Sequence, residues 1–437
     1  MGARETALNV LIACRKESGW SNGVLKDYIG RDHLDKRDAA LATRLCYGVV
    51  QNRGLLDFYL AQLLTGKLKS LHPAVRDILH MGLYQIYLMD KIPESAAVNE
   101  SVDLAKKYCK KVRSAPGLVN GVLRSAVRTK GQLQEPKSWE DQYSHPGDLI
   151  NELKTYVGKE RMEKMLQANN DIPPMVVQVN TLRTTAAELT AMLETAGVVA
   201  QPHSWMPDAL ILSGTGSIEQ LDAFQQGLFY VQDPASKLSV LCAELPKEKI
   251  KVLDCCAAPG GKSFAAAIAS GGKANITACD VYAHKAELIA KGAQRLGLSV
   301  AAKQQDATEF VPQWENAFDV VIVDAPCSGY GIIRKKPDIR YKDITKMKEL
   351  PALQRAILEV QARYVTPGGL IMYSTCTLVH AENEGMVEEF LRDHPEFHLE
   401  PLPLPANFPK NESGMQALIP GEYDTDGFFI SRLRRKV

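Results

Sequence analysis

The sequence predicts a multidomain chain in three parts: an all-α bundle, a small α+β unit, and an α/β domain with a doubly wound, Rossmann-like sheet. Three observations carry this. The first third has apolar residues at helical spacing and an excess of basic charge. A polar, proline-containing stretch then separates it from a mixed segment. From residue 233 onward, short apolar strands alternate with helical stretches, the pattern of a parallel sheet covered on both faces. At 437 residues the chain is long enough for two or three cores.

Residues 1–130 read as helix throughout. The start, MGARETALNVLIACRKESGW, has charges scattered through it and reads as an amphipathic helix, with no signal peptide evident. Ala74–Leu88 places Val75, Ile78, Leu79, Leu83 and Ile86 on one face, and Pro73 sits where a first helical turn tolerates proline. A second helix over Ser95–Lys111 ends in Lys106, Lys107, Lys110, Lys111 and then Arg113. The net charge of +1 conceals an asymmetry: 21 Lys/Arg face 12 Asp/Glu in residues 1–130, and 31 face 39 in the rest. The five clustered cations are expected to meet a polyanion, although such a bias also suits a solvated helical surface. Residues 131–147 look like a linker. Residues 148–232 give a helical Asp148–Ala168, a strand at Met175–Val179, a helix over Thr185–Ala196 and a strand at Ala209–Leu212. With no catalytic constellation, this unit is expected to position a substrate.

In residues 233–437 the strand candidates are Ile250–Leu253, Ile276–Ala278, Val320–Val323, Leu370–Tyr373 and Phe428–Leu433. Ligands and chemistry collect at the carboxyl ends of such strands. Asp254, Asp280, Asp306 and Asp324 close four successive segments there. The first is followed by a glycine turn, VLDCCAAPGGKS, leading to a helix near Ser263. Glycine lets a backbone approach a ligand closely, and the helix start offers unpaired N–H groups. A P-loop would need glycine at position 256, which is Cys256, and the dinucleotide fingerprint G-x-G-x-x-G is absent. A nucleoside-containing ligand without pyrophosphate remains, with Asp280 placed to accept ribose hydroxyls and Asp306 near an adenine edge. The fourth segment, Phe318–Gly331 (FDVVIVDAPCSGYG), delivers Asp324 and Cys327 three positions apart. Taken alone, that pair could equally be a turn former and a buried thiol. Nine cysteines contain no C-x-x-C pair, so neither a zinc cage nor a disulfide framework fits, and free thiols in a reducing cytoplasm are expected. No stretch approaches the ~20 apolar residues of a membrane span.

DCCAAPGGKS, QQDAT, VDAPCSGYGIIRKKPDIR and YSTCT followed by HAENE, in this order, resemble the S-adenosylmethionine-dependent RNA cytosine-C5 methyltransferases of the Sun/Fmu type. The resemblance extends to VNTLR at 179–183, YVQDPASKL at 230–238 and DGFF at 426–429, and the front is similar to the domain related to the antitermination factor NusB. It implies a class I methyltransferase domain. It further implies that Cys256, Ala257, Ala258, Pro259, Gly260, Gly261 and Lys262 cradle S-adenosylmethionine, with Asp280 on the ribose, Asp306 near the adenine and Asp324 bordering the site. Asp324 and Cys327 fall on the family's D-A-P-C motif and Cys376 on its T-C-S motif. Position 377 is Thr377 where serine is common, and LIPGEYDT lacks the histidine often found before DGFF.

Cytosine C5 is too weak a nucleophile to take a methyl group from a sulfonium directly. A thiolate adding at C6 moves electron density to C5, and an acid near N3 stabilises the ring. Read from the residues, either Cys327 or Cys376 could attack. The resemblance implies that Cys376 is the nucleophile, Cys327 assists breakdown of the adduct, and Asp324 contacts the base. The target must leave its stack to be reached, and Arg334, Lys335, Lys336 and Arg340 are expected to grip flanking phosphates. The implied substrate is small-subunit (16S) ribosomal RNA and the expected state a monomer without a stable protein partner. Transfer RNA, another ribosomal site, or a non-catalytic antitermination-like RNA-binding protein are the alternatives.

Overall fold

The computed structural model describes residues 1–17 and 21–437. Of the expected first helix, Ala3–Glu17 is described, and residues 18–20 lie outside the described residues. The chain divides into two compact units, residues 1–152 with 333–342, and residues 153–332 with 343–437.

The first unit is all helix. Its principal helices are Ala3–Glu17, Ser21–Arg31, Lys36–Gln51, Arg53–Leu63, Pro73–Leu88, Glu94–Tyr108 and Ala115–Arg128. Pro73–Leu88 is the hub: Val75, Ile78, Leu79, Leu83 and Ile86 are each at most 1% exposed, so the predicted stripe is core. Each such side chain contributes ~1.5–3 kcal/mol on burial. Because the helix is enclosed on most sides, its polar residues are buried too and are paired. Arg4 donates to Gln85 at 2.7 Å, and His80 bonds Asp57 at 2.7 Å. The expected linker 131–147 carries a short helix, Trp139–Tyr143, capped by Ser138. Its polar side chains are used against Arg53–Leu63: the Tyr59 hydroxyl donates to Glu135 at 2.8 Å, and Gln62 exchanges two bonds with the Gln134 backbone.

Arg340 corrects an expectation. It is 2% exposed, and its Nη1 donates to the carbonyls of Gln51 (2.9 Å), Tyr143 (3.2 Å) and Ser144 (3.3 Å). Gln51 ends the helix Lys36–Gln51, and carbonyls in a last turn lack intrahelical partners and carry the negative end of the dipole. A guanidinium satisfies both requirements. Burial pulls this group down to about 10. Arg340 is therefore a structural cation of the helical unit and not a phosphate ligand.

The second unit contains two sheets. The smaller has strands β1 (Met175–Val179), β2 (Val199–Pro202), β3 (Ala209–Ser213) and β4 (Phe229–Val231) in the order β2-β3-β1-β4, all antiparallel. The helix Ala186–Thr195 begins in a capping box between Thr185 and Glu188, which satisfies two backbone donors reciprocally. The single helix expected over 148–168 is two, Gly147–Val157 and Lys159–Ala168. They are separated at Gly158, whose φ of +85° is costly for any other residue. Buried Asn180 bonds the carbonyls of Gly227 (3.0 Å) and Leu296 (2.9 Å), fixing the small sheet to the helix Ala283–Leu296.

The larger sheet holds β5 (Lys251–Asp254), β6 (Asn275–Asp280), β7 (Val300–Gln304), β8 (Phe318–Asp324), β9 (Val365–Thr375), β10 (Phe397–Leu399), β11 (Met415–Leu418) and β12 (Phe428–Arg435). The order is β10-β12-β9-β8-β5-β6-β7, with β11 also on β12. Strands β5 to β9 pair in parallel, and β12 runs antiparallel to β9. The order reverses at β5, between β6 and β8, which is where a doubly wound sheet opens a crevice. All five strands expected here form. Short β10 and β11 escaped detection because three or four residues give no periodicity to read. No helix among the described residues is long and apolar enough to cross a membrane.

Candidate active site

The site is set by strand register. Strands β8 and β9 lie side by side in parallel, with Asp324 opposite Ser374. Cys327 lies three residues beyond the first and Cys376 two beyond the second, so both thiols leave the sheet at one level. Their sulfurs are 3.3 Å apart. Both are half-buried. The hydrogen bond with Cys376, burial, and the nearby charges of Glu382 and Asp324 push the Cys327 thiol well above its ordinary range. Either sulfur can donate in the contact between them.

Asp324 has both oxygens engaged. Ser374 donates to Oδ1 at 2.9 Å, and the Lys262 ammonium pairs with Oδ2 at 2.6 Å. Lys262 is 7% exposed against 31% for Asp324, so the carboxylate is the member that faces solvent. The ammonium also donates to Ser236 at 2.9 Å, placing the serine of the DPASK segment in the same cluster. Lys262 comes from the glycine turn, so the turn and the two-thiol site share an ion pair that spacing in the sequence gives no means of finding. Lys237 stands apart: its Nζ donates to the Pro207 carbonyl at 3.3 Å, and burial lowers it to about 8.

The turn is packed so closely against neighbouring side chains that its glycines have little room for a side chain. Gly260, at φ +110°, precedes the helix Gly261–Ala269. A Cβ there would come within 2.4 Å of the Phe264 ring, and one at Gly261 within 3.1 Å of Gln232. Cys256, Ala257, Ala258 and Pro259 form the approach, with the Gly260 N–H closing a 2.7 Å bond to the Ala257 carbonyl. Beneath it, Asp254 is fully buried. Ser263 donates to its Oδ2 at 2.7 Å, while Oδ1 has no partner among the described residues. Burial, only partly offset by Ser263 and Lys262, raises this acid to about 7. A buried acceptor below a glycine turn suits a ligand bearing a donor. At the end of β6, Asp280 uses Oδ1 on the Tyr282 N–H (3.2 Å), with Lys285 at 3.8 Å from the same oxygen. Asp306 accepts from the Thr308 N–H (2.9 Å) and hydroxyl (2.7 Å) through Oδ1. Those bonds hold it below the usual carboxylate range. The donor set fits a nucleoside-containing cofactor with a charged tail.

Three residues of the site were not singled out in the sequence: Glu382, Gln354 and Ser328. Glu382, 2% exposed, follows β9 on the turn His380–Glu382. Its Oε1 accepts from the Ser328 hydroxyl at 2.6 Å, and its Oε2 from the Ser328 N–H at 3.0 Å and from Gln354 at 2.8 Å. Gln354 also donates to the Pro326 carbonyl at 2.9 Å, and Ser328 bonds the Thr377 hydroxyl at 2.6 Å. The HAENE motif that contains Glu382 is visible in the sequence, but nothing local tells a buried acid from an exposed one.

The expected nucleic-acid contacts are divided. Lys110, Lys111 and Arg113 are exposed. Lys106 is paired with Asp103 at 2.7 Å and Lys107 with Glu5 at 2.5 Å. Arg334 and Lys335 are half-buried in the same segment as Arg340.

Residues 242–434 match the family described as 16S rRNA methyltransferase RsmB/F. Residues 1–128 match the NusB family and 145–219 the ferredoxin-like domain of the RsmF/B-like methyltransferases. The chain is 35% identical over 449 residues to a Bacillus subtilis protein named probable ribosomal RNA small subunit methyltransferase B, covering 99% of this chain and 98% of that one. It is 35% identical over 411 residues to ribosomal RNA small subunit methyltransferase B of Vibrio cholerae, covering 93% and 92%. The crystal structure of PH0851 superimposes with a TM-score of 0.80 at 26% identity, covering 100% of this chain and 99% of that one.

Proposed function

The chain belongs to the RsmB/F family of 16S rRNA methyltransferases, and on that premise we propose that it methylates C5 of a cytosine in small-subunit ribosomal RNA through a covalent adduct. The observation that carries the reading is the 3.3 Å pair of Cys327 and Cys376 beside the Asp324–Lys262 ion pair. Bound S-adenosylmethionine supplies the methyl group on a sulfonium. Cys256–Lys262 and Asp280 hold it, and Asp254 offers a buried acceptor beneath it.

Cys376 adds to C6 of the ring, and C5 becomes the nucleophilic carbon. Asp324, oriented by Ser374 and Lys262, holds the N3 edge of the base. After transfer, which leaves the sulfonium as a neutral thioether, a water takes the C5 proton, the C–H electrons restore the C5–C6 double bond, the C6–S bond breaks, and its electrons return to the Cys376 sulfur. Cys327, a protonated thiol beside that sulfur, assists the release. The target is an unstacked nucleotide, and Lys110, Lys111, Arg113, Arg334 and Lys335 are the proposed contacts to its strand.

The test is a pair of single variants incubated with small-subunit ribosomal RNA and labelled S-adenosylmethionine. Cys327→Ala accumulates a protein–RNA adduct that survives a denaturing gel, and Cys376→Ala forms none. The opposite pattern exchanges the two roles, and no methyl transfer by the unaltered chain defeats the reading.

A further inference from the structure

We propose that Glu382 is a positioning residue that sets Cys327 against Cys376, acting through the catalytic loop's backbone and never touching the base. The inference rests on the two-thiol reading above and adds what holds the thiols in place. Proton or electron traffic between two sulfurs depends on their separation, and the loop Ala325–Gly331 has no regular secondary structure before Tyr330 to fix it. The fixing is done from outside the loop.

Cys327 is clamped on both sides. The residue before it, Pro326, gives its carbonyl to Gln354, and the residue after it, Ser328, gives its N–H to Glu382. Gln354 and Glu382 are themselves bonded at 2.8 Å, so one amide–carboxylate pair holds both flanks. The same carboxylate reaches the other thiol. Ser328 bridges Glu382 to Thr377, the neighbour of Cys376, with both bonds at 2.6 Å. Glu382 is locked in turn, since Tyr373 of β9 donates to its carbonyl at 2.7 Å. Glu382, Ser328, Gln354 and Thr377 are each no more than 2% exposed. In such surroundings a carboxylate that accepts three bonds is a rigid anchor, and hydrogen bonds to a charged group are the strong ones. Glutamine would keep the clamp, since its oxygen still accepts at the Oε2 position and the Ser328 hydroxyl can turn to accept from its NH2. Methionine has the length of glutamate and no oxygen, so it removes the acceptor of Ser328 and Gln354 without opening a cavity.

The experiment uses the full chain with Glu382→Met and, as a milder variant, Ser328→Ala, which removes only the bridging hydroxyl. Two quantities are read: the split between kcat and KM for ribosomal RNA, and capture of the thiol pair by phenylarsine oxide, which needs two adjacent sulfurs. Peptide mapping separates Cys327/Cys376 from Cys255/Cys256, whose sulfurs are 3.9 Å apart and which serve as the internal control. For Glu382→Met the expected result is a fall in kcat of about a hundredfold, the scale of a 1 Å misplacement. KM stays within about twofold, and bridging of Cys327 to Cys376 is lost while the control pair is unchanged. Ser328→Ala gives a smaller loss of both. Bridging that persists while kcat falls overturns the proposal, as does an unchanged kcat. If Glu382→Met melts early, Ser328→Ala decides, and full activity with full bridging then defeats the idea. Should the unaltered chain transfer no methyl group, the functional reading fails while the arsenical still reports on the clamp.

Discussion

Replacing Arg340 distinguishes a structural cation from a phosphate ligand. Its guanidinium makes one good bond, to Gln51 at 2.9 Å, and two longer ones that share the same nitrogen, to Tyr143 and Ser144. Hydrogen bonds from a charged group are worth about 1.5–3 kcal/mol each; with the two long ones counted together as one weak bond of about 1.5–2 kcal/mol, these contacts amount to roughly 3–5 kcal/mol. Arg340→Ala forfeits this, leaves three buried carbonyls short of a donor and opens a void, so a loss of about 3–5 kcal/mol is expected. At roughly 2–4 °C per kcal/mol for a unit of this size, the melting step of the helical unit drops by about 6–20 °C. Arg340→Met keeps most of the volume and so avoids the void, but it leaves the same carbonyls without a donor, so its loss is only modestly smaller. Calorimetry reads the melting step, and ribosomal RNA binding measured across a salt series reads the second quantity. Arg340→Met leaves the slope of log K against log salt unchanged. A variant that melts normally but loses about one unit of that slope would refute the structural assignment and restore Arg340 as a phosphate contact.

Two further outcomes follow from the geometry. Asp254 is buried with its acid raised to about 7. Folding therefore favours the protonated form, and its stabilising contribution is complete below the ordinary value of 3.8 and is lost as pH rises through about 7. Between pH 5 and pH 8 the unaltered chain should lose about 3 kcal/mol relative to Asp254→Asn, and a stability difference that stays flat with pH in denaturant titrations would contradict this. Replacing exposed Lys110, Lys111 and Arg113 together by glutamine should reduce the salt slope of RNA binding by about 2–3 units with no change in melting. An unaltered slope would place the RNA elsewhere.

The sequence by itself determined the architecture and nominated the residues of the proposed chemistry. Periodicity found the hub helix Pro73–Leu88, because an enclosed helix must be apolar at each turn. The runs at β5, β6, β8, β9 and β12 were legible because strands buried on both faces are nearly continuous hydrophobes. The glycine turn, Asp280, Asp324, Cys327 and Cys376 stand out in the sequence because the proposed nucleoside binding and thiolate addition would call for these residue types. Partnership between distant residues was decided only by the tertiary structure. Register between β8 and β9 brings Cys327 to 3.3 Å from Cys376, 49 positions away in the chain. Packing turns Lys262 from a turn residue into the counter-ion of Asp324. Burial separates Arg340 from the other cations and Glu382 from the other acids of HAENE. A charge in a sequence carries no sign of the dielectric around it, and whether it faces water or a set of carbonyls is fixed by chain segments far away.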